Sequence, residues 1–268
     1  MNDEYWNKRG KLNYTYKGER FYTITPLPYY LKRRQILLNK IEQVLENKLI
    51  NKEGNLSIAD FGSGDGYYCC WLARKIPTST IYGFDISKSM VNKAKKMADE
   101  LSIPNTRFFC EDIANKRKKF DLLLILAVLQ HFVDEEKISK KISQINNNIR
   151  KGGHVIVFEA TANRTKKNKK LIRRPENFYI NVFKENNFEL VDKEFISFPF
   201  FSKYQRTLLK FLKKFLKGSP AEKSIMVNKN KFFRAFNQFV FSLGRQVDKF
   251  IKDNKREGNT VFVFKKAA

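Results

Sequence analysis

The chain has 268 residues, 42% of them hydrophobic, which is enough to bury a sizeable core and excludes a disordered chain. Lys and Arg number 53 against 27 Asp and Glu, for a formal charge of +26, and residues 161–268 alone carry 26 basic and 9 acidic residues. Such an excess attracts polyanions, either nucleic acid or an anionic membrane surface, although a lysine- and asparagine-rich background composition accounts for part of it.

The polar start Met1-Asn2-Asp3-Glu4 has no apolar run behind it, so no secretory leader is expected. No uncharged apolar window approaches the ~20 residues that span a bilayer. The longest candidate, 122–133, is short and contains Gln130 and His131. A cytoplasmic protein is expected, with a peripheral place at the inner face of the membrane as an option. Cys69, Cys70 and Cys110 lack metal-ligand spacing and read as reduced core residues, with a free reactive thiol as the other reading, so no metal is expected.

In chain order, residues 1–52 form a segment ahead of the core, rich in tyrosine, with apolar residues at helical spacing over 27–49. Apolar runs at 56–61, 80–84, 106–110, 120–126 and 153–159 then read as buried parallel strands with helices between them, the first of these helices over 67–76. Right-handed crossovers make this a doubly wound α/β sheet, with ligands at the carboxyl ends of its strands. Asp60, Asp85, Asp112, Leu126 and Glu159 therefore fall along one edge.

The first strand runs into Asp60-Phe61-Gly62-Ser63-Gly64-Asp65-Gly66. A glycine-rich bend there lets a ligand approach bare backbone, with helix N–H groups aimed at it. The spacing departs from the dinucleotide fingerprint G-x-G-x-x-G, because Tyr67 stands where the third glycine would be. Asp60 repels a pyrophosphate but suits an ammonium or sulfonium cation. Asp85, 19 residues after Gly66, can accept both hydroxyls of a ribose. A nucleoside without phosphates is the expected ligand.

With Gly83-Phe84-Asp85-Ile86-Ser87, Cys110-Glu111-Asp112-Ile113, Phe120-Asp121-Leu122-Leu123 and Gly152-Gly153 following in order, the stretch 56–159 resembles the class I S-adenosylmethionine-dependent methyltransferases. The resemblance implies a seven-stranded, mostly parallel, Rossmann-like sheet and S-adenosylmethionine as cofactor. It assigns the methionine part of the cofactor to Gly62 and Gly64, with Asp60, Ser63 and Gly66 in the same bend. It assigns the ribose to Asp85, beside Ile86 and Met90, and the adenine amine to Asp112, beside Glu111 and Ile113. Leu126, at the end of the fourth strand, is a further candidate cofactor contact. A segment placed like 1–52 folds over the cofactor in this family, which makes Tyr30 and Arg33 candidate substrate contacts; packing on the sheet as a plain helix is the alternative.

Methyl transfer asks the protein to align an acceptor and, for a hydroxyl, to remove its proton. His131, just past the fourth strand, has the side chain suited to that near neutral pH, with capping of a short helix as its other reading. Glu159 is a second catalytic candidate, orienting the acceptor, or balancing the cation run of 164–174. That run reads as a solvated surface loop or as an anion contact. His154, inside its strand, reads as structural.

A helix at 175–186 and strands at 188–198 and 260–264 complete the core, assigned to 53–198 and 258–268 around an insertion at 199–257. Within it, 203–217 and 231–252 have apolar faces opposite cations. They read as interfacial helices on an anionic membrane or as a paired lid. The expected function is methylation, on oxygen, of a membrane-associated or anionic acceptor such as a lipid-linked sugar, glycan or lipid. The alternatives are a soluble small-molecule O- or N-methyltransferase, a nucleic acid methyltransferase, and a non-catalytic adaptor of the same fold.

Overall fold

A computed structural model describes residues 15–16, 19–20, 27–46, 55–167, 171–200, 203–204, 207, 230–248 and 257–267. Its elements in chain order are α1 (Leu27–Val44), β1 (Ser57–Phe61), α2 (Tyr67–Lys75), β2 (Thr80–Phe84), α3 (Lys88–Glu100), β3 (Thr106–Phe109), β4 (Phe120–Leu126), α4 (Glu135–Asn146), β5 (Ile149–Thr161), α5 (Glu176–Glu185), β6 (Phe188–Ile196), α6 (Lys231–Asp248) and β7 (Gly258–Lys266). A two-residue ladder, Thr15–Tyr16 with Glu19–Arg20, precedes them.

The seven strands form one sheet in the order β6-β7-β5-β4-β1-β2-β3. β3, β2, β1, β4 and β5 pair in parallel, and β7 is antiparallel to both β5 and β6. The order reverses between β1 and β4, and ligands in such sheets bind at that switch point. The expected doubly wound, seven-stranded fold is therefore present.

Helices on both faces explain the unbroken apolar strands. In β4, Leu122 and Leu124 enter one core cluster while Leu123 and Ile125 enter the other. The first cluster takes Leu37 and Ile41 of α1, Leu72 of α2 and Val91 of α3; the second takes Ile138 and Ile142 of α4 and Phe183 of α5. Phe183 stacks on Phe264 of β7 with ring centroids 4.1 Å apart.

The fifth strand is longer than the apolar run at 153–159: its start pairs with β4 at Ile149, and β7 pairs along it as far as Thr161. Of the insertion, α6 is described. The 203–217 segment lies outside the described residues except for Lys203, Tyr204 and Thr207, as do 249–252. Cys69 and Cys70 are buried, whereas Cys110, the residue after β3, is exposed. That corrects its reading as a core residue. No helix among the described residues is long and apolar enough to cross a membrane.

Candidate active site at the carboxyl edge of the sheet

Three glycines shape the bend after β1, with φ of +78° at Gly62, +54° at Gly64 and +80° at Gly66. These are left-handed conformations that other residues adopt at a cost. The N–H groups of Gly62 and Ser63 both donate to Phe84 O, at 2.8 and 3.0 Å, which ties the bend to the tip of β2. A Cβ on Gly62 would lie 2.5 Å from Val128 Cγ2, so the turn after β4 requires glycine there. A Cβ on Gly64 would meet nothing within 4 Å, so this peptide is the open one.

Asp85 clasps the bend from the side. Its Oδ2 accepts the Gly64 N–H at 2.9 Å and its Oδ1 accepts the Ser87 N–H at 2.8 Å, which leaves each oxygen a second lone pair. Asp60 lies deeper, 1% exposed, with Oδ1 lacking any hydrogen-bond partner and Oδ2 held only by the Cys69 thiol at 3.8 Å. Burial, and then the charges of Asp85 and Asp65, push the Asp60 carboxyl up to about 7. The Ser63 hydroxyl is also buried without a partner. In a chain of +26, neither Asp60 nor Asp85 pairs with a lysine or arginine among the described residues. Buried acids in this position favour a cation beside them.

The next predicted positions line the same edge with different commitments. Ile86 is half-buried, and Met90 is buried in the first turn of α3, where its N–H donates to Ser87. Glu111 pairs with Lys116 at 2.8 Å. Asp112 caps the short turn Ile113–Asn115 by accepting the Ala114 N–H at 3.0 Å, and its Oδ2 takes Lys141 Nζ at 2.5 Å. The side chain of Ile113, in the turn that Asp112 caps, is 0% exposed and lies in the core. Leu126 is half-buried at the tip of β4.

α1 supplies an aromatic and cationic cluster beside the bend. Arg34 lies 3.6 Å over the ring of Tyr67, the first residue of α2, and 4.5 Å over Tyr30, whose hydroxyl also accepts from Arg34. Arg33 lies 5.0 Å over Phe158 of β5. Tyr30 and Arg33 are thus at the edge, and Arg34 also joins α1 to the first turn of α2.

Glu159 departs most from expectation. It is 0% exposed, and its carboxylate accepts the N–H groups of Val128 at 2.9 Å, Leu129 at 2.7 Å and Gln130 at 3.0 Å. Burial raises its carboxyl to about 8, opposed by these three N–H groups and by the charge of Arg174. It is committed to the turn that carries His131, and it balances Arg174 of the 164–174 run, its other reading. That turn also holds Ala127 at φ +60°, a left-handed non-glycine residue of the kind found at strained functional turns. His131 is half-buried, with Nε2 3.4 Å from the Gln130 amide.

Arg174 corrects the reading of 164–174 as wholly solvated. Its side chain is fully buried, donating to Phe132 O at 2.8 Å and to Glu135 Oε1 at 3.1 Å. The run thus contributes one cation to the underside of the His131 turn. Residues 168–170 lie outside the described residues. Sequence reasoning missed Arg174, Arg34 and Val128; the one local signal was an arginine immediately ahead of the Pro175 helix start.

Comparison with known proteins adds the following. Residues 52–218 match the family described as "Methyltransferase domain". Trans-aconitate 2-methyltransferase of Deinococcus radiodurans is 31% identical over 115 residues, 43% of this chain and 42% of that protein. Ubiquinone biosynthesis O-methyltransferase of Bartonella tribocorum is 28% identical over 164 residues, 60% of each chain. The chain thus spans between two fifths and three fifths of these relatives. Among solved structures, a putative sarcosine dimethylglycine methyltransferase from Galdieria sulphuraria superposes with TM-score 0.60 at 12% identity, covering 99% of this chain and 98% of that one. An O-methyltransferase from a Brevibacillus brevis trans-AT PKS, in complex with S-adenosyl-L-homocysteine, gives 0.60 at 15% identity, over 91% and 78%. At these identities the likeness is one of fold.

Proposed function

The chain belongs to the class I S-adenosylmethionine-dependent methyltransferase family, and from that premise we propose that it transfers a methyl group to an oxygen acceptor held at the mouth of the β1–β4 edge. The observation that carries this reading is the buried, partnerless Oδ1 of Asp60 beside the open Gly64 peptide. An ammonium or sulfonium supplies the cation these acids favour, so the residues fit the cofactor. Gly62, Ser63, Gly64 and Gly66 would cradle its methionine part, with Asp85 on the ribose hydroxyls. Asp112 would share an oxygen with the adenine amine while keeping Lys141. When bound, the cofactor supplies an activated methyl and its own leaving group.

The protein's share is alignment and removal of a proton. His131 is the candidate base, and Glu159 and Arg174 hold its turn from below. Oxygen as the accepting atom is supported by the printed name of the Bartonella tribocorum relative. Replacing His131 with Ala should lower methyl transfer on the order of 10²-fold or more while leaving S-adenosylhomocysteine binding intact. Near-normal turnover would remove it from the reaction. Calorimetry should show S-adenosylhomocysteine binding that Asp85→Ala abolishes, and a wild-type protein that does not bind would leave a silent adaptor.

An acceptor at a membrane surface is the finer reading, supported by α6. One side of that helix is anchored, with Phe241 against Phe198 at 5.3 Å and Gly244 under Phe200. The other carries Phe232, Phe236, Phe239 and Leu243, 73%, 43%, 65% and 54% exposed, spaced as one helical stripe. Flotation with anionic liposomes should require Phe239 and Leu243, and loss of flotation in Phe239→Ser/Leu243→Ser is expected. A wild-type protein that stays at the bottom of the gradient favours a soluble acceptor under a helical lid.

A further inference from the structure

The pole of the sheet opposite the candidate active site holds a cavity of about 580 Å³. It is lined by Lys119, which precedes β4, Arg150 and Lys151 at the start of β5, Asn187 ahead of β6 and Lys266 at the end of β7. Methyl transfer uses none of these, because the cofactor edge lies at the carboxyl ends of the same parallel strands.

The charges here are poorly compensated. Arg150 pairs with the buried Asp121 at 2.6 Å, and that carboxylate also accepts the Ser57 N–H at 3.0 Å. Lys119 and Lys151 have no ion-pair partner among the described residues. Lys266 is fixed by two main-chain carbonyls, Asn146 O at 2.8 Å and Ile149 O at 3.1 Å, which leaves its third N–H. Burial, and then the charges of Lys119 and Lys151, hold the Lys266 ammonium below the usual lysine range. Three ammonium groups thus crowd one concave surface and repel one another, a cost that a bound anion removes.

We propose that this cavity is a second ligand site, for a small polyphosphate, in which Lys119, Lys151 and Lys266 with Arg150 clamp two or three phosphate groups. A single carboxylate or sulfate would neutralise only part of the cluster. A nucleic acid backbone is disfavoured by the concavity, since a strand prefers a continuous groove with stacking platforms.

Calorimetry on the full chain with inorganic tripolyphosphate, in about 0.15 M salt so that long-range attraction is screened, tests this directly. One site is expected, weakened about a hundredfold in Lys119→Gln/Lys151→Gln and about tenfold in Lys151→Gln alone, each lost phosphate contact being worth on the order of one charge-assisted hydrogen bond. S-adenosylhomocysteine affinity should be unchanged in both variants, which separates failure here from failure of the methyltransferase reading. A control removing the same charge elsewhere, Lys167→Gln/Lys184→Gln, should keep tripolyphosphate binding. Equal weakening in that control, no change in the cavity variants, or equal binding of sulfate at matched ionic strength would each overturn the proposal. So would a short single-stranded RNA that binds more tightly than tripolyphosphate through the same lysines.

Discussion

Glu159 Oε1 accepts the main-chain N–H of Leu129 at 2.7 Å, two residues before His131, so an acid of β5 fixes the turn that presents the candidate base. Above about pH 8, where the Glu159 carboxyl is ionised, both its oxygens can receive N–H groups, whereas a carboxamide cannot. Glu159→Gln therefore sets an NH2 against at least one of the three donors from Val128, Leu129 and Gln130. We expect about 2–4 kcal/mol of destabilisation in urea unfolding at about pH 9. S-adenosylhomocysteine affinity should stay near wild type while the His131 imidazole resonances, read by NMR, move with the turn. Unchanged stability would end the brace assignment, and unchanged resonances would uncouple it from His131.

Asp60 predicts a pH dependence with a definite sign. Its carboxyl titrates near 7 in the folded chain, against 3.8 as the ordinary value, mainly because it is buried. The folded state therefore binds this proton more tightly than the unfolded state. The group's contribution to stability is complete below the ordinary carboxylate range and is lost as pH rises through about 7. Cofactor binding runs the other way, because an ammonium beside Asp60 favours the ionised acid. S-adenosylhomocysteine should bind more tightly as pH rises from about 6 to 8, by up to about tenfold, with proton release seen by calorimetry in two buffers of different ionisation enthalpy. Asp60→Asn should flatten both profiles; a flat wild-type profile would place the cation elsewhere.

The cofactor edge was legible because its signals are local. The bend at 60–66 and Asp85 belong to adjacent strands, and the glycine spacing reports left-handed backbone directly. The supports of the catalytic turn were not legible, because they join distant positions: Glu159 reaches the Val128 N–H 31 residues away, and Arg174 reaches Glu135 across 39. An acid at a strand tip looks the same in sequence whether it faces a pocket or the backbone of the neighbouring turn. Neighbouring positions divide in a similar way: a short capped turn leaves Asp112 half-buried and puts the Ile113 side chain in the core.

Gly62 and Gly64 should respond differently to the same substitution. Gly62→Ala meets Val128 Cγ2 at 2.5 Å on a φ of +78°, so a stability loss of about 2–4 kcal/mol is expected from clash and strain together. Adding Val128→Ala should return the steric part and leave the backbone part. Gly64→Ala meets no atom within 4 Å, so its stability loss should be nearer ~1 kcal/mol. Its methyl would occupy the open side over which a ligand approaches, so S-adenosylhomocysteine affinity should fall by about tenfold or more. Equal losses of melting temperature in the two variants, with binding kept in Gly64→Ala, would mean that the ligand does not cross this peptide.

Arg34 makes the last prediction. It is 5% exposed, sandwiched between Tyr67 and Tyr30, and it is the link between α1 and the first turn of α2. A desolvated guanidinium on an aromatic face is worth ~2 kcal/mol, and lysine does not reproduce its planar stacking. Both Arg34→Leu and Arg34→Lys should therefore free the start of α1. Amide exchange over residues 27–36 should accelerate about tenfold or more, while α4 and α5, on the other face of the sheet, keep their protection. If α1 covers bound cofactor, S-adenosylhomocysteine affinity should fall in parallel and dissociation should quicken. Faster exchange with unchanged affinity would leave α1 as a packing helix, and unchanged exchange would show that Leu37 and Ile41 hold it in place without the arginine.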